Sequence, residues 1–151
     1  MCNSQDTIFD RMQQKRLHTI LKEGKEFIFD PIRKKYVFLT PEEWVRQQIV
    51  DHMIYEQKIP RLLIAVEKKI QIGNLSKRFD ILVFKNSIPW MIVECKRESE
   101  SLNESVMQQI LAYNSQLKVA YLVVSNGKEV YCFDTKENAW QDGFASFHSA
   151  E

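Results

Sequence analysis

Apolar and polar positions alternate with two periods along this chain, and the switch between them divides it into elements. Residues 8–22 (IFDRMQQKRLHTILK) carry Ile8, Met12, Leu17, Ile20 and Leu21 at helical spacing, which predicts a first helix. Glu26–Phe29 and Tyr36–Leu39 read as two short strands around a turn at Asp30-Pro31, where proline pre-sets φ. Thr40-Pro41-Glu42-Glu43 is the clearest helix start: Thr40 caps, Pro41 is tolerated at the first position, and Glu43 completes a capping box. That helix should run to about Gln57, with Trp44, Val45, Ile49, Met53 and Ile54 on its apolar face, and end before Pro60. Three strand-like runs follow, Leu62–Ile72, Arg78–Phe84 and Trp90–Lys96, with turns at Gly73-Asn74 and Asn86–Pro89. Val106, Ile110 and Tyr113 mark a helix over Leu102–Gln116, with Ser101 or Asn103 near its cap. Val119–Ser125, closed by Asn126-Gly127, and Glu129–Phe133 read as a final hairpin. The order predicts an α/β fold, a mixed sheet flanked by helices.

Composition narrows the class. The chain has 151 residues, 44% hydrophobic and 27% charged, with four glycines and four prolines, enough for one globular domain with a sizeable core. No repeat, low-complexity stretch or Gly/Ser linker interrupts it, so one domain over 1–151 is expected, with a helical extension over 1–25 and a core over 40–133. No apolar run approaches the roughly 20 residues that span a bilayer, and Met1–Asp6 lacks the features of a secretory signal. Cys2, Cys95 and Cys132 are scattered and form no CxxC, which suits a reducing cytoplasm. Basic and acidic residues, 21 against 20, nearly cancel, so nucleic acid must be held by a local patch rather than by bulk charge.

Candidate chemistry concentrates in RFDILVF and WMIVECK. Side chains alternate along a strand, so Glu94 and Lys96 share a face and Cys95 takes the other. A hairpin centred near Ser87 would set Asp80 roughly across from Glu94. Two hard carboxylates from adjacent strands suit Mg²⁺, and a nearby lysine can orient or deprotonate a metal-bound water beside a phosphate. Taken alone, a Glu-x-Lys pair is most often a solvated ion pair worth under ~1 kcal/mol. Asp80 changes that balance, because a carboxylate inside an apolar strand costs free energy without a partner. Gln109 and Tyr113 share a helix face at i, i+4 and could hydrogen-bond a phosphate, although in isolation a packed tyrosine beside a surface glutamine accounts for them. Glu43 is fully explained as a capping-box residue, with the metal cluster as its other possible destination.

In this order, Glu43, Asp80, Glu94-Cys95-Lys96 and Gln109-x-x-x-Tyr113 resemble the PD-(D/E)XK nuclease superfamily. FDPIRKKYVFLTPEEWVRQ with RFDILVF, PWMIVECK and QQILAYN is similar to the N-terminal nuclease domain of type I restriction enzyme R subunits, in a small stand-alone bacterial form, over about Phe29 to Phe133. The resemblance implies a restriction-endonuclease-like mixed sheet of four or five strands between helices, and Mg²⁺-dependent DNA cleavage in which Mn²⁺ substitutes. By position it makes Asp80 and Glu94 metal ligands with the Cys95 carbonyl as a third, Lys96 the water-activating group, and Gln109 and Tyr113 part of the site lining. Glu43 transfers less securely because Glu42 adjoins it. Phe79 replaces the proline of the family name, and no Walker-type loop is present, so neither a nucleotide cofactor nor translocation is expected.

His18, His52 and His148 have no partner at metal-ligand spacing, which argues against zinc. Lys77, Arg78 and Arg97 flank the proposed site and are the candidate DNA phosphate contacts. A homodimer or partner subunit would let two sites cut two strands. A nuclease-fold DNA-binding module with weak or no turnover is the alternative from a different class.

Overall fold

In a computed structural model, residues 15–115 and 117–148 are described, leaving aside the side chains of Ile72, Leu75 and Tyr113. Nine strands form two sheets, and two α-helices and a short 3-10 turn complete the described elements. A three-stranded antiparallel sheet comprises β1 (Thr19–Lys22), β2 (Lys25–Asp30) and β3 (Lys35–Phe38). The helix α1 (Pro41–Tyr55) follows, then the 3-10 turn Arg61–Leu63. Next come β4 (Ile64–Ile72), β5 (Leu75–Lys85) and β6 (Ile88–Cys95), the helix α2 (Glu104–Asn114), and β7 (Tyr121–Ser125), β8 (Val130–Asp134) and β9 (Ala139–Asp142). These last six strands lie side by side in chain order, and only β6 and β7, joined through α2, run parallel.

The helices cover opposite faces of the six-stranded sheet, giving the mixed α/β architecture expected. Val45, Ile49, Val50 and Met53 of α1 pack with Ile81, Val83, Met91, Val93, Val123 and Cys132. Ile110 of α2 packs with Leu82, Ile92, Leu122 and Val124. Alternating strand residues thus feed two separate cores, which explains the nearly continuous apolar runs in β6 and β7.

Several expectations need correction. The helix predicted over 8–22 begins outside the described residues, and its last part, Thr19–Lys22, is β1, paired with β2 from Thr19–Ile28 to Lys22–Lys25. Ile20 and Leu21 fit a helical stripe equally well, and pairing with β2 across the Glu23-Gly24 turn decides between the two. Within the helical extension expected over 1–25, Lys15 and Arg16 are helical and Thr19–Lys22 is strand. The main sheet has six strands rather than four or five, because β9 was not anticipated. Leu62 lies in the 3-10 turn rather than in β4.

The start of α1 agrees with expectation only in half of its capping box. Thr40 Oγ1 accepts a hydrogen bond from the Glu43 amide at 3.0 Å, with Pro41 at the first helical position. The Glu43 carboxylate does not reach back to Thr40; it is taken up elsewhere. Thr40→Ala should therefore cost about 1 kcal/mol in urea denaturation, the ordinary value of a lost N-cap.

Two turns place the site. Asn86 and Ser87 have φ of 52° and 64°, the left-handed pair of a tight hairpin turn, between Lys85 and Ile88. Phe84 pairs with Pro89 but Val83 with Met91, so Trp90 is an extra residue that advances the register by one. At Gly127 (φ 87°) the β7–β8 turn meets α1 so closely that a Cβ would lie 3.1 Å from Gln48 Oε1 and 3.4 Å from Val45 Cγ2.

Candidate active site

Because of the extra residue at Trp90, Ile81 pairs with Val93, and the same register continued one step sets Asp80 opposite Glu94. A plain two-residue hairpin would have set Asp80 opposite Val93, with the two carboxylates on different faces. Across β4 and β5 the ladder skips one step between Val66–Ile81 and Lys68–Phe79, and there Glu67 stands opposite Asp80. Glu67, Asp80 and Glu94 thus occupy one level of three neighbouring strands.

Each of these carboxylates has a different environment. Asp80 Oδ2 accepts a hydrogen bond from the Cys95 amide at 2.8 Å, and Oδ1 lies 3.9 Å from Arg46 Nη1. Burial nevertheless pushes the Asp80 carboxyl above its ordinary value, the Cys95 amide and Arg46 offsetting it only in part. Glu94 is pushed up to about 7, first by burial and then by the Asp80 charge, against the pull of Lys96, Lys77 and Arg46. Lys96 Nζ sits 3.9 Å from Glu94 Oε1, and both side chains are about one-fifth exposed, at 22% and 21%. They are therefore open to solvent yet shielded enough for their charges to count. The Cys95 side chain is buried in the core on the α1 side, where burial raises its thiol well above the usual range, so only its backbone is available for chemistry.

Glu43 is 5% exposed, and its carboxylate lies inside a network. Arg33 Nη2 donates to Oε1 at 2.5 Å, Gln47 Nε2 to Oε1 at 3.0 Å, and Arg46 Nε to Oε2 at 3.1 Å. Arg33 also donates to the fully buried Asp30, which accepts from the Ile32 and Arg33 amides as well. Arg46 donates onward to Glu67 and, at 3.4 Å, to the Asp80 carbonyl. Glu43 thus approaches the Asp80–Glu94 pair only through Arg46. Glu42 is turned to the surface, in an ion pair with Arg97 at 3.0 Å.

Arg46 and Glu67 were not singled out from the sequence. Glu67 interrupts IAVEKKI much as Asp80 interrupts RFDILVF, and applying the same burial argument to both would have found it. Its φ of 54° within a strand marks local strain at the level of the carboxylate pair.

The remaining candidates are more dispersed. Arg78 is mostly exposed and pairs with Glu67 at 3.4 Å; Lys77 acts electrostatically on Glu94. Gln109 is exposed on α2, and no hydrogen bond joins it to Asp80, Glu94 or Lys96 among the described residues. Tyr113 lies on α2, its side chain outside the description.

The donor set can be tested against a metal. Among the described residues no three Asp, Glu, His or Cys side chains group closely enough to hold an ion. The donor set at Asp80 and Glu94 is two hard carboxylates, and Mg²⁺ keeps several waters and takes one or two such ligands. Two partly buried carboxyls raised above their ordinary values are also what an absent cation would relieve.

The family described as type I restriction enzyme R protein N terminus matches residues 41–146, from the start of α1 to beyond β9. The chain belongs to that family. Among solved structures it is similar to a fragment assigned as the HsdR subunit of a type I restriction enzyme from Vibrio vulnificus YJ016, with 24% identity and a TM-score of 0.43. The match covers 53% of this chain and 18% of that one, so the chain spans less than a fifth of its structural relative. No curated protein matches. Among the described residues, no helix is long and apolar enough to cross a membrane.

Proposed function

We propose that this chain is a Mg²⁺-dependent DNA endonuclease domain of the PD-(D/E)XK type, acting in the cytoplasm as part of a restriction system. The observation that carries this reading is the alignment of Asp80 and Glu94 on adjacent strands, with Lys96 Nζ 3.9 Å from the Glu94 carboxylate. Asp80, the Glu94 carboxylate and the Cys95 carbonyl would hold the metal, which Mn²⁺ could replace. Bound there, Mg²⁺ would polarise the scissile phosphate and lower the pKa of a water. Lys96 Nζ would orient the attacking water and balance charge on the phosphate as the water oxygen bonds to phosphorus, its proton passing to solvent, and the bond to the ribose oxygen breaks, that oxygen taking a proton from solvent. Lys77, Arg78 and Arg97 position the duplex. The ion pairs of Arg78 with Glu67 and Arg97 with Glu42 are exposed, hence weak and readily exchanged for phosphate contacts. Gln109 and Tyr113 line the substrate side, and Glu43 acts through Arg46. The chain works as a single domain, and cutting both strands requires a second copy or a partner subunit.

Supercoiled plasmid incubated with Mg²⁺ or Mn²⁺ tests this reading. Nicking or linearisation that EDTA abolishes and that Lys96→Ala lowers at least about a hundredfold is the expected result. Retained Mn²⁺ binding without cleavage of any plasmid would point to a missing partner subunit or substrate. Absence of both cleavage and metal binding would end the nuclease reading.

A further inference from the structure

The three-stranded sheet carries a surface that the nuclease reading does not use. Strand alternation and register place Ile20 and Lys22 of β1, Lys25, Phe27 and Phe29 of β2, and Tyr36 and Phe38 of β3 on one face. Ile28 and Asp30, on the other face, are fully buried. The first face is open: Ile20 is 39% exposed, Tyr36 44% and Phe38 55%. Its rings are ordered in pairs, Phe29 against Tyr36 with centroids 5.3 Å apart and Phe27 against Phe38 at 6.0 Å, both edge to face. Lys22 and Lys25 pair at one end of this face and, with Glu23, border a groove of ≈ 390 Å³ floored by Ile20, Phe27 and Tyr36. At the opposite end of β2, the exposed Lys34 sits in the turn into β3, whereas Lys35 pairs with Asp30 and belongs to the other face.

We propose that this face is a binding surface for single-stranded DNA, separate from the cleavage site. Half-exposed rings on a rigid sheet offer stacking planes to unpaired bases, and lysines at both ends offer phosphate contacts. Lysine is depleted from protein interfaces, so the Lys22–Lys25 pair beside the rings favours a polyanion with π-faces over a protein partner. The span of β2, about 17 Å for its six residues, admits a few nucleotides. Stacking on these rings and phosphate contacts to the lysines need no ribose 2′-hydroxyl, so the strand assigned to this face is DNA.

Fluorescence anisotropy of a labelled oligothymidylate of about twelve nucleotides, titrated with the full chain in EDTA, tests the proposal without cleavage. Wild type should bind it more tightly than a duplex of equal length, and Tyr36→Ala with Phe38→Ala should weaken binding roughly tenfold or more. Tyr36→Phe with Phe38→Tyr keeps both rings and should keep the affinity. Lys22→Glu with Lys25→Glu should weaken binding and flatten its salt dependence. Asp80→Ala should bind the strand normally, so failure at either site is read separately. Unchanged affinity in the double alanine variant, tighter binding of oligouridylate, or no binding by wild type would each overturn the proposal. So would a wild-type dimer that the double alanine variant dissociates, since the face would then belong to a second copy.

Discussion

Glu94→Gln is expected to abolish cleavage and, in the same protein, to make the metal-free fold more stable at pH 8. Both effects have one physical origin. The Glu94 carboxyl is pushed up from its ordinary 4.5 to about 7, first by burial and then by the Asp80 charge. Its folded-state pKa exceeds its unfolded one, so between those values the folded chain binds more protons. The contribution to stability is complete below about pH 4.5 and is lost as pH rises through 7. Above pH 7 the ionised group therefore weakens the fold by about 3 kcal/mol. Asp80 is shifted in the same direction and couples to Glu94, so the two lose protons as a pair. A neutral glutamine of nearly the same shape removes the Glu94 part and relieves Asp80 as well. Urea denaturation between pH 5 and pH 9 without divalent ions should show wild type losing stability across this range, with Glu94→Gln much flatter. Adding Mg²⁺ should recover stability in wild type at high pH and much less in the variant. A variant no more stable than wild type at pH 8 would mean that Glu94 is better solvated than its surroundings indicate, and the argument for a cation between Asp80 and Glu94 would lose its electrostatic basis.

The same residues show how far the sequence could be read. Asp80 stands out because it breaks an apolar strand pattern, and Glu94 and Lys96 because their spacing puts them on one face of a strand, although Lys96 lies one residue beyond the end of β6. The step that aligns Asp80 with Glu94 was legible only roughly. A two-residue turn alone gives the wrong register, and nothing local announces that Trp90 will be the extra residue. The N-terminal strand was misread because Ile20 and Leu21 satisfy a helical period, and what overrides it is pairing with Phe27 and Glu26 across a tight turn. For Glu43 the sequence offers a capping box, complete within four residues, and a place at the site, and it does not decide between them. Its actual partners include Arg33, ten residues away, held in place by the Asp30 turn. Long-range ion networks of this kind leave little trace in periodicity, because each member taken alone looks like a surface charge.

That network sets the second large effect. Arg46→Met is expected to lower stability by about 3–5 kcal/mol, the range for removing one partner from a buried ion pair. Arg46 is 8% exposed and joins α1 to both strands below it: it donates to Glu43 and Glu67, and its Nη1 is 3.4 Å from the Asp80 carbonyl. Without it Glu43 keeps Arg33 and Gln47, Glu67 keeps only the exposed Arg78, and Asp80 loses a cation that now offsets its burial. For a chain of this length the loss should lower the Tm by roughly 10 °C. Arg46→Lys keeps the charge but cannot reach Glu43 and Glu67 together through a planar fork, so it should fall between the two. Replacing Glu67 by Gln in the Arg46→Met background should restore part of the loss, because the methionine no longer leaves a charge opposite Asp80. Differential scanning calorimetry of wild type, Arg46→Met, Glu67→Gln and the double variant closes the cycle and gives that coupling directly. If Arg46→Met melted within a degree or two of wild type, the network would contribute nothing to holding α1 against β4 and β5, and the strained backbone at Glu67 would need another support. If instead the loss and its partial rescue both appear, the carboxylate row rests on α1 through a single arginine, and the position of Asp80 depends on a helix with which its own side chain shares only that contact.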